Sequence, residues 1–162
     1  MKKILWMVMV VLAVYSPELS FGQDIEIKGL SLGMSKEKFD KDIGTNSMKN
    51  FTIAGVKSMY SLRPEFFENN LDAFNFFFDA GKFDDVLSAV TSKYSDIKCE
   101  ESELSNAMGA HFKQVECELK GNVGTLRIVR FVGDVNTSLL SLWSDRYLKD
   151  FTAKRKEKQK DI

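Results

Sequence analysis

The stretch Leu71-Asp72-Ala73-Phe74-Asn75-Phe76-Phe77-Phe78 constrains the fold of this 162-residue chain more than any other. In a strand, successive side chains alternate between the two faces. Phe74, Phe76 and Phe78 therefore share one face, and Ala73, Asn75 and Phe77 the other. Three aromatic rings on one face call for a sheet with that face buried. The segment that follows supplies the cover. Opened by Asp79-Ala80-Gly81, it places Phe83, Val86, Leu87, Val90 and Tyr94 at helical spacing, while Lys82, Asp84, Asp85, Ser88 and Ser92 face away. Asp84 and Asp85 fall in the first turn, where the helix dipole favours negative charge. This helix is expected to pack on the phenylalanine face.

Weaker signals flank this unit. Gln23 to Leu32 reads as a short strand or extended lead-in with a slip at Gly29. Ser35 is placed as an N-cap, with Met34 and Phe39 as a hydrophobic staple, and the helix Lys36 to Ile43 stops at Gly44. Phe51 to Leu62 reads as a strand bent at Gly55; Arg63-Pro64 and Glu68-Asn69-Asn70 are turn material. Strands are expected over Ile97 to Leu104 and around Val115, Cys117 and Leu119, which alternate with Gln114, Glu116 and Glu118. Gly121 to Gly124 makes a turn, and Thr125 to Val132 and Thr137 to Trp143 return as strands. From Ser144 the pattern is helical, with Tyr147, Leu148 and Phe151 on one side. These elements predict a single α+β domain: an antiparallel sheet with two or three helices packed on one face. Both halves run helix then strands, which suggests a weak internal duplication of an α-β-β unit.

The N-terminus bears on location. Lys2-Lys3, the apolar run Ile4 to Tyr15 and Ser20-Phe21-Gly22 have the three-part form of a secretory signal peptide. A membrane anchor needs about 20 apolar residues, and Ser16-Pro17-Glu18 breaks this run earlier. No cysteine follows Leu19, so the sequence gives no lipid attachment point and no stable membrane anchor. The expected organisation is a signal peptide over 1–22, an α+β domain over 23–151 and a charged tail over 152–162. The protein is expected to be periplasmic or secreted, and soluble after cleavage near Gly22. In an oxidising compartment Cys99 and Cys117 are expected to pair. Closing their loop of 18 residues is worth roughly 3 kcal/mol. A redox pair wants Cys-x-x-Cys, which this spacing lacks.

Charge and chemistry bound the function. From Gln23 onward the chain carries 21 basic and 22 acidic residues. Lys154, Arg155, Lys156, Lys158 and Lys160 concentrate positive charge in the tail and leave the body acidic, which argues against a nucleic-acid partner. The tail admits contact with anionic lipid or a polyanion; the reading preferred from sequence is a solvated tail. The single histidine, His111, makes neither a zinc site nor a triad. Glu100, Glu101 and Glu103 lack the pattern of a calcium loop and read as a solvated edge. Gly29-Leu30-Ser31-Leu32-Gly33 lacks the spacing and Lys-Ser/Thr ending of a phosphate cradle. No serine stands in a Ser-x-x-Lys or Gly-x-Ser-x-Gly context. The expectation is a non-enzyme with no cofactor and no metal.

The stretch Lys28-Gly29-Leu30-Ser31-Leu32-Gly33-Met34-Ser35-Lys36-Glu37-Lys38-Phe39, ending at Gly44, resembles the start of the outer-membrane assembly lipoproteins of the SmpA type and of the β-lactamase-inhibitor-like fold. The likeness covers about 17 of the 162 residues. It implies short helices on an antiparallel sheet and action by binding other proteins; the lipid-carrying cysteine of those lipoproteins is missing here. From Phe74 through Cys117 the chain also resembles uncharacterised periplasmic or prophage-encoded proteins. The resulting expectation is a non-catalytic periplasmic binding or protein-interaction module whose partner is another envelope protein. The alternative is an inhibitor or exclusion factor acting on an envelope enzyme or a phage component; a hydrolase is the third reading. Glu65-Phe66-Phe67-Glu68 is the candidate partner-binding segment, expected as an exposed loop. Its two rings are adjacent, so one can be core and the other exposed.

Overall fold

Three two-residue turns organise the first half of the chain. Lys28-Gly29, Ala54-Gly55 and Glu68-Asn69 each hold both residues at positive φ (50° and 83°, 51° and 75°, 48° and 63°). That is the backbone of the tight turn whose twist matches a β-hairpin. Each joins a pair of strands: β1 (Glu26–Ile27) with β2 (Leu30–Ser31), β3 (Thr52–Ile53) with β4 (Val56–Lys57), and β5 (Arg63–Phe67) with β6 (Asn70–Asp79). Gly29 and Gly55, expected as a slip and a bend, are therefore chain reversals. Arg63-Pro64, expected as turn, opens β5. Pro64 is tolerated there because β5 is an edge strand, where a missing N–H goes unused. The computed structural model describes residues 23–106 and 108–160. The expected signal peptide and its cleavage near Gly22 lie outside the described residues.

Between the hairpins sit α1 (Lys36–Asp42) and α2 (Gly44–Lys49). Ser35 caps α1 by accepting from the Lys38 amide at 3.2 Å. Gly44 ends α1 as expected, but at its positive φ the chain starts a second helix that sequence patterning does not foresee. A 3₁₀ turn over Ala80–Lys82, capped by Asp79, leads into α3 (Phe83–Lys93). The chain then runs through β7 (Lys98–Ser105), β8 (His111–Lys120), β9 (Gly124–Val129) and β10 (Thr137–Ser144) into α4 (Asp145–Lys160).

One antiparallel sheet of six strands, in the order β5-β6-β10-β9-β8-β7, dominates this mixed α and β domain. The two halves contribute two and four strands to it, so the suspected duplication has no equal counterparts. Register explains the two faces. Phe74 pairs with Leu142 and Phe76 with Leu140, and all four are fully buried. With Phe78, Leu126, Ile128, Phe39 and the α3 residues Phe83 and Val86 they form the core. Each such side chain contributes about 1.5–3 kcal/mol by leaving water. Phe77, Asn75 and Ala73 pair with Leu139, Ser141 and Trp143 and point the other way.

That alternation corrects the expectation of helices on a single face. Trp143 lies on the face opposite Phe74, where its indole N–H donates to Asn75 at 3.0 Å. The rings of Tyr147 and Phe151 pack against it at tilted angles, with centroids at 5.7 and 5.4 Å. α1 and α3 join the core, whereas α4 packs on the other face. Gly124, at the β9 end of the turn, has no room for a side chain: a Cβ there would strike the Trp143 carbonyl and Leu32. Among the described residues, no helix is long and apolar enough to cross a membrane.

Candidate functional site

The segment Glu65-Phe66-Phe67-Glu68 is strand and hairpin turn rather than loop. A register shift between Glu65 and Phe66 resets the alternation, and the adjacent rings take opposite roles. Phe66 turns inward and meets Phe39 edge-on at 5.3 Å. Phe67 turns outward, is 44% exposed, and lies beneath the Arg146 guanidinium at 3.7 Å. A cation held flat on a ring stabilises by about 0.5–1 kcal/mol at a partly exposed position and fixes the ring's orientation.

Arg146 is held in turn. It pairs with Asp72 of β6 through two nitrogens and with Asp150 at 2.8 Å. Asp72 is 7% exposed and also accepts from the Ser144 hydroxyl at 2.5 Å. The same hydroxyl accepts from the Tyr147 amide at 3.0 Å, which caps the first turn of α4. One serine and one aspartate thus tie the β10–α4 junction to β6. The Tyr147 phenol is pushed above its usual range, first by burial and then by the negative charges of Glu65 and Asp72. Leu32, Gly33, Asn70, Val123 and Asp145 line a shallow depression of about 300 Å³ beside Phe67 and Glu68. The corner presents a fixed aromatic ring, two carboxylates and a guanidinium.

Asp72, Ser144 and Arg146 are not among the site residues expected from sequence. The available signal is Asp72 itself, a charged residue inside an otherwise apolar strand that needs a partner. Its partner lies 74 residues further on, beyond the reach of any local pattern.

The remaining sequence candidates fall elsewhere. Cys99 and Cys117 face each other across β7 and β8 and form a disulfide. Glu101 pairs with Lys113 at 2.7 Å and Glu103 with His111 at 3.0 Å, all on exposed surface. Asp84 is more than a first-turn charge, since Arg130 grips it through one nitrogen at 2.9 and 2.8 Å while stacking over Phe83. A groove of about 630 Å³ runs over Lys98, Glu100, Glu116, Glu118, Lys120 and Arg127. Four of its charges pair with one another, Glu116 with Arg127 and Glu118 with Lys120. Among the described residues, no three His, Cys, Asp or Glu side chains are grouped to hold a metal ion.

No protein-family model, curated protein or solved structure matches this chain.

Proposed function

We propose that this protein is a non-catalytic binding module of the cell envelope that docks another protein at the corner formed by the β5–β6 turn and the root of α4. The observation that carries this reading is Phe67. A large ring half out of water is commonplace, but this one is clamped by a guanidinium that is itself tied to a buried carboxylate. Rigid aromatic groups beside arginine are the residue types that dominate protein interfaces, because little side-chain freedom is lost when they bind. Glu65 and Glu68 flank the ring and favour a partner surface with an apolar pocket rimmed by positive charge. The same hairpin suits an inhibitor that enters a groove of an envelope enzyme, and the experiment separates the two.

Immobilised protein is offered an envelope extract in parallel with Phe67→Ser and Leu104→Ser. A discrete partner retained by the parent and by Leu104→Ser, but lost at least tenfold by Phe67→Ser, supports the module. If that partner is an enzyme and its turnover falls on binding, the inhibitor reading takes precedence. Equal retention by all three proteins, or turnover of a small substrate by this chain, overturns the proposal.

A further inference from the structure

α4 carries a stripe that the fold absorbs only in part. The helix runs without a break from Asp145 to Lys160, so the charged stretch after Phe151 is helix and not a loose tail. Positions 148, 151 and 155 follow the spacing of one helical face; they are Leu148, Phe151 and Arg155. Leu148 is 38% and Phe151 44% exposed, and every residue from 148 to 157 is exposed. Residues 149–160 hold six basic against two acidic side chains, whereas residues 23–148 hold 15 basic against 19 acidic.

Packing does not account for the end of this helix. After Phe151 the only apolar residue within it is Ala153, and helical segments this short are marginal in water without packing. Lys154 and Lys158, and likewise Lys156 and Lys160, stand four apart, a spacing at which like charges weaken a helix. The dipole favours cations in the last turn but supplies nothing to cover Leu148 or the side of Phe151 turned away from Trp143 and Tyr147. A surface that is negative above and apolar beneath meets both needs.

We infer that α4 seats on an anionic lipid surface, with phospholipid headgroups pairing to Lys154 and Arg155 and with Leu148 and the exposed edge of Phe151 meeting the boundary below the headgroups. The exposed apolar pair lies on the same face as the cations, as in helices that lie in a membrane interface. A nucleic-acid site would spread its basic excess over the folded body, and here the body is acidic. The inference stands apart from the protein-docking corner, which uses Phe67.

The test is co-sedimentation of the chain from Gln23 onward, which contains the whole described core, with phosphatidylcholine vesicles prepared with and without phosphatidylglycerol. The expected result is binding about tenfold or more tighter to the anionic vesicles, lost in high salt. The double substitution K154E/R155E reduces that binding about tenfold or more, and Leu148→Ser reduces it severalfold. Residues 154 and 155 are exposed, so the melting temperature of K154E/R155E stays that of the parent and the loss reports the surface alone. No vesicle binding, equal binding to neutral vesicles, anionic binding undiminished by K154E/R155E, or binding to heparin or DNA without binding to vesicles would each overturn the inference.

Discussion

β5 and β7 bound the same sheet and are held in place by different means. β5 is held by packing: Phe66 reaches Phe39, and the preceding Leu62 amide donates to the Met48 carbonyl at 3.0 Å. Its outer side is left to present Phe67 under Arg146. β7 puts nothing into the core; all eight of its residues are exposed. It is held by its ladder to β8 and by the Cys99–Cys117 bond, and it shows solvent a row of charges. Charged side chains on an exposed edge discourage pairing with other chains. The packed edge can therefore hold a recognition group rigidly, and the stapled edge protects the fold. This contrast is why the docking surface is assigned to β5.

The largest expected effect is on the stapled edge. Removing the bond with Cys99→Ser/Cys117→Ser should cost about 3 kcal/mol, read from urea unfolding. Hydrogen exchange of the β7 amides should accelerate while that of β5 stays slow; loss of protection at both edges together would erase the distinction.

Next in size is the packed edge. Phe66→Ala should cost about 2 kcal/mol, below the cost for a fully buried phenylalanine because Phe66 is only partly covered. Leu104→Ala on β7 should stay within about 0.5 kcal/mol. Equal costs would mean that β7 shares the core.

Smaller again is the tie between β6 and α4. Asp72→Asn should cost about 1.5 kcal/mol, less than a fully buried ion pair because Arg146 remains partly in water. The emission of Trp143, the only tryptophan after residue 22, should shift to the red as α4 loosens. Unchanged emission would show that the aromatic stack alone holds the helix.

The smallest effect is pH dependence at the β5 corner. Burial and the charges of Glu65 and Asp72 raise the Tyr147 pKa, so the folded state keeps the phenol proton more tightly than the unfolded chain does. The stability this provides is complete below the unfolded value near 10 and is lost as pH rises through the higher folded value. Of the three tyrosines after residue 22, Tyr60, Tyr94 and Tyr147, absorbance titration of Tyr147→Phe should lack a late-ionising phenol present in the parent. Alkaline unfolding should also be less steep in that variant. Identical titrations would remove Tyr147 from the charged corner.

What sequence reveals follows from the range of the forces involved. Period-two and period-3.6 patterns that bury whole faces were legible, as at Phe74, Phe76 and Phe78 and along α3. So was the Ser35 cap, where one side chain satisfies a nearby amide. The β1–β2 and β3–β4 hairpins were not, because their strands are two residues long and only the turn geometry of Lys28-Gly29 and Ala54-Gly55 marks the reversal. Pro64 misled because proline suits turns and edge strands alike. The side on which α4 packs depends on whether Trp143 or Leu142 points to the core, a question that only the register against β6 answers. At the candidate site, the aromatic and acidic residues of Glu65–Glu68 single the segment out in sequence, but as a loop rather than as strand and hairpin turn. Its clamp was not, since Asp72 and Arg146 meet only through the tertiary fold.

Recognition is proposed at the packed edge and not at the stapled one. A photo-crosslinking amino acid placed at position 67, and separately at position 104, tests this directly in the producing cell. One discrete protein adduct is expected from position 67 and none from position 104. An adduct from position 104 alone, or the same adducts from both, would contradict it.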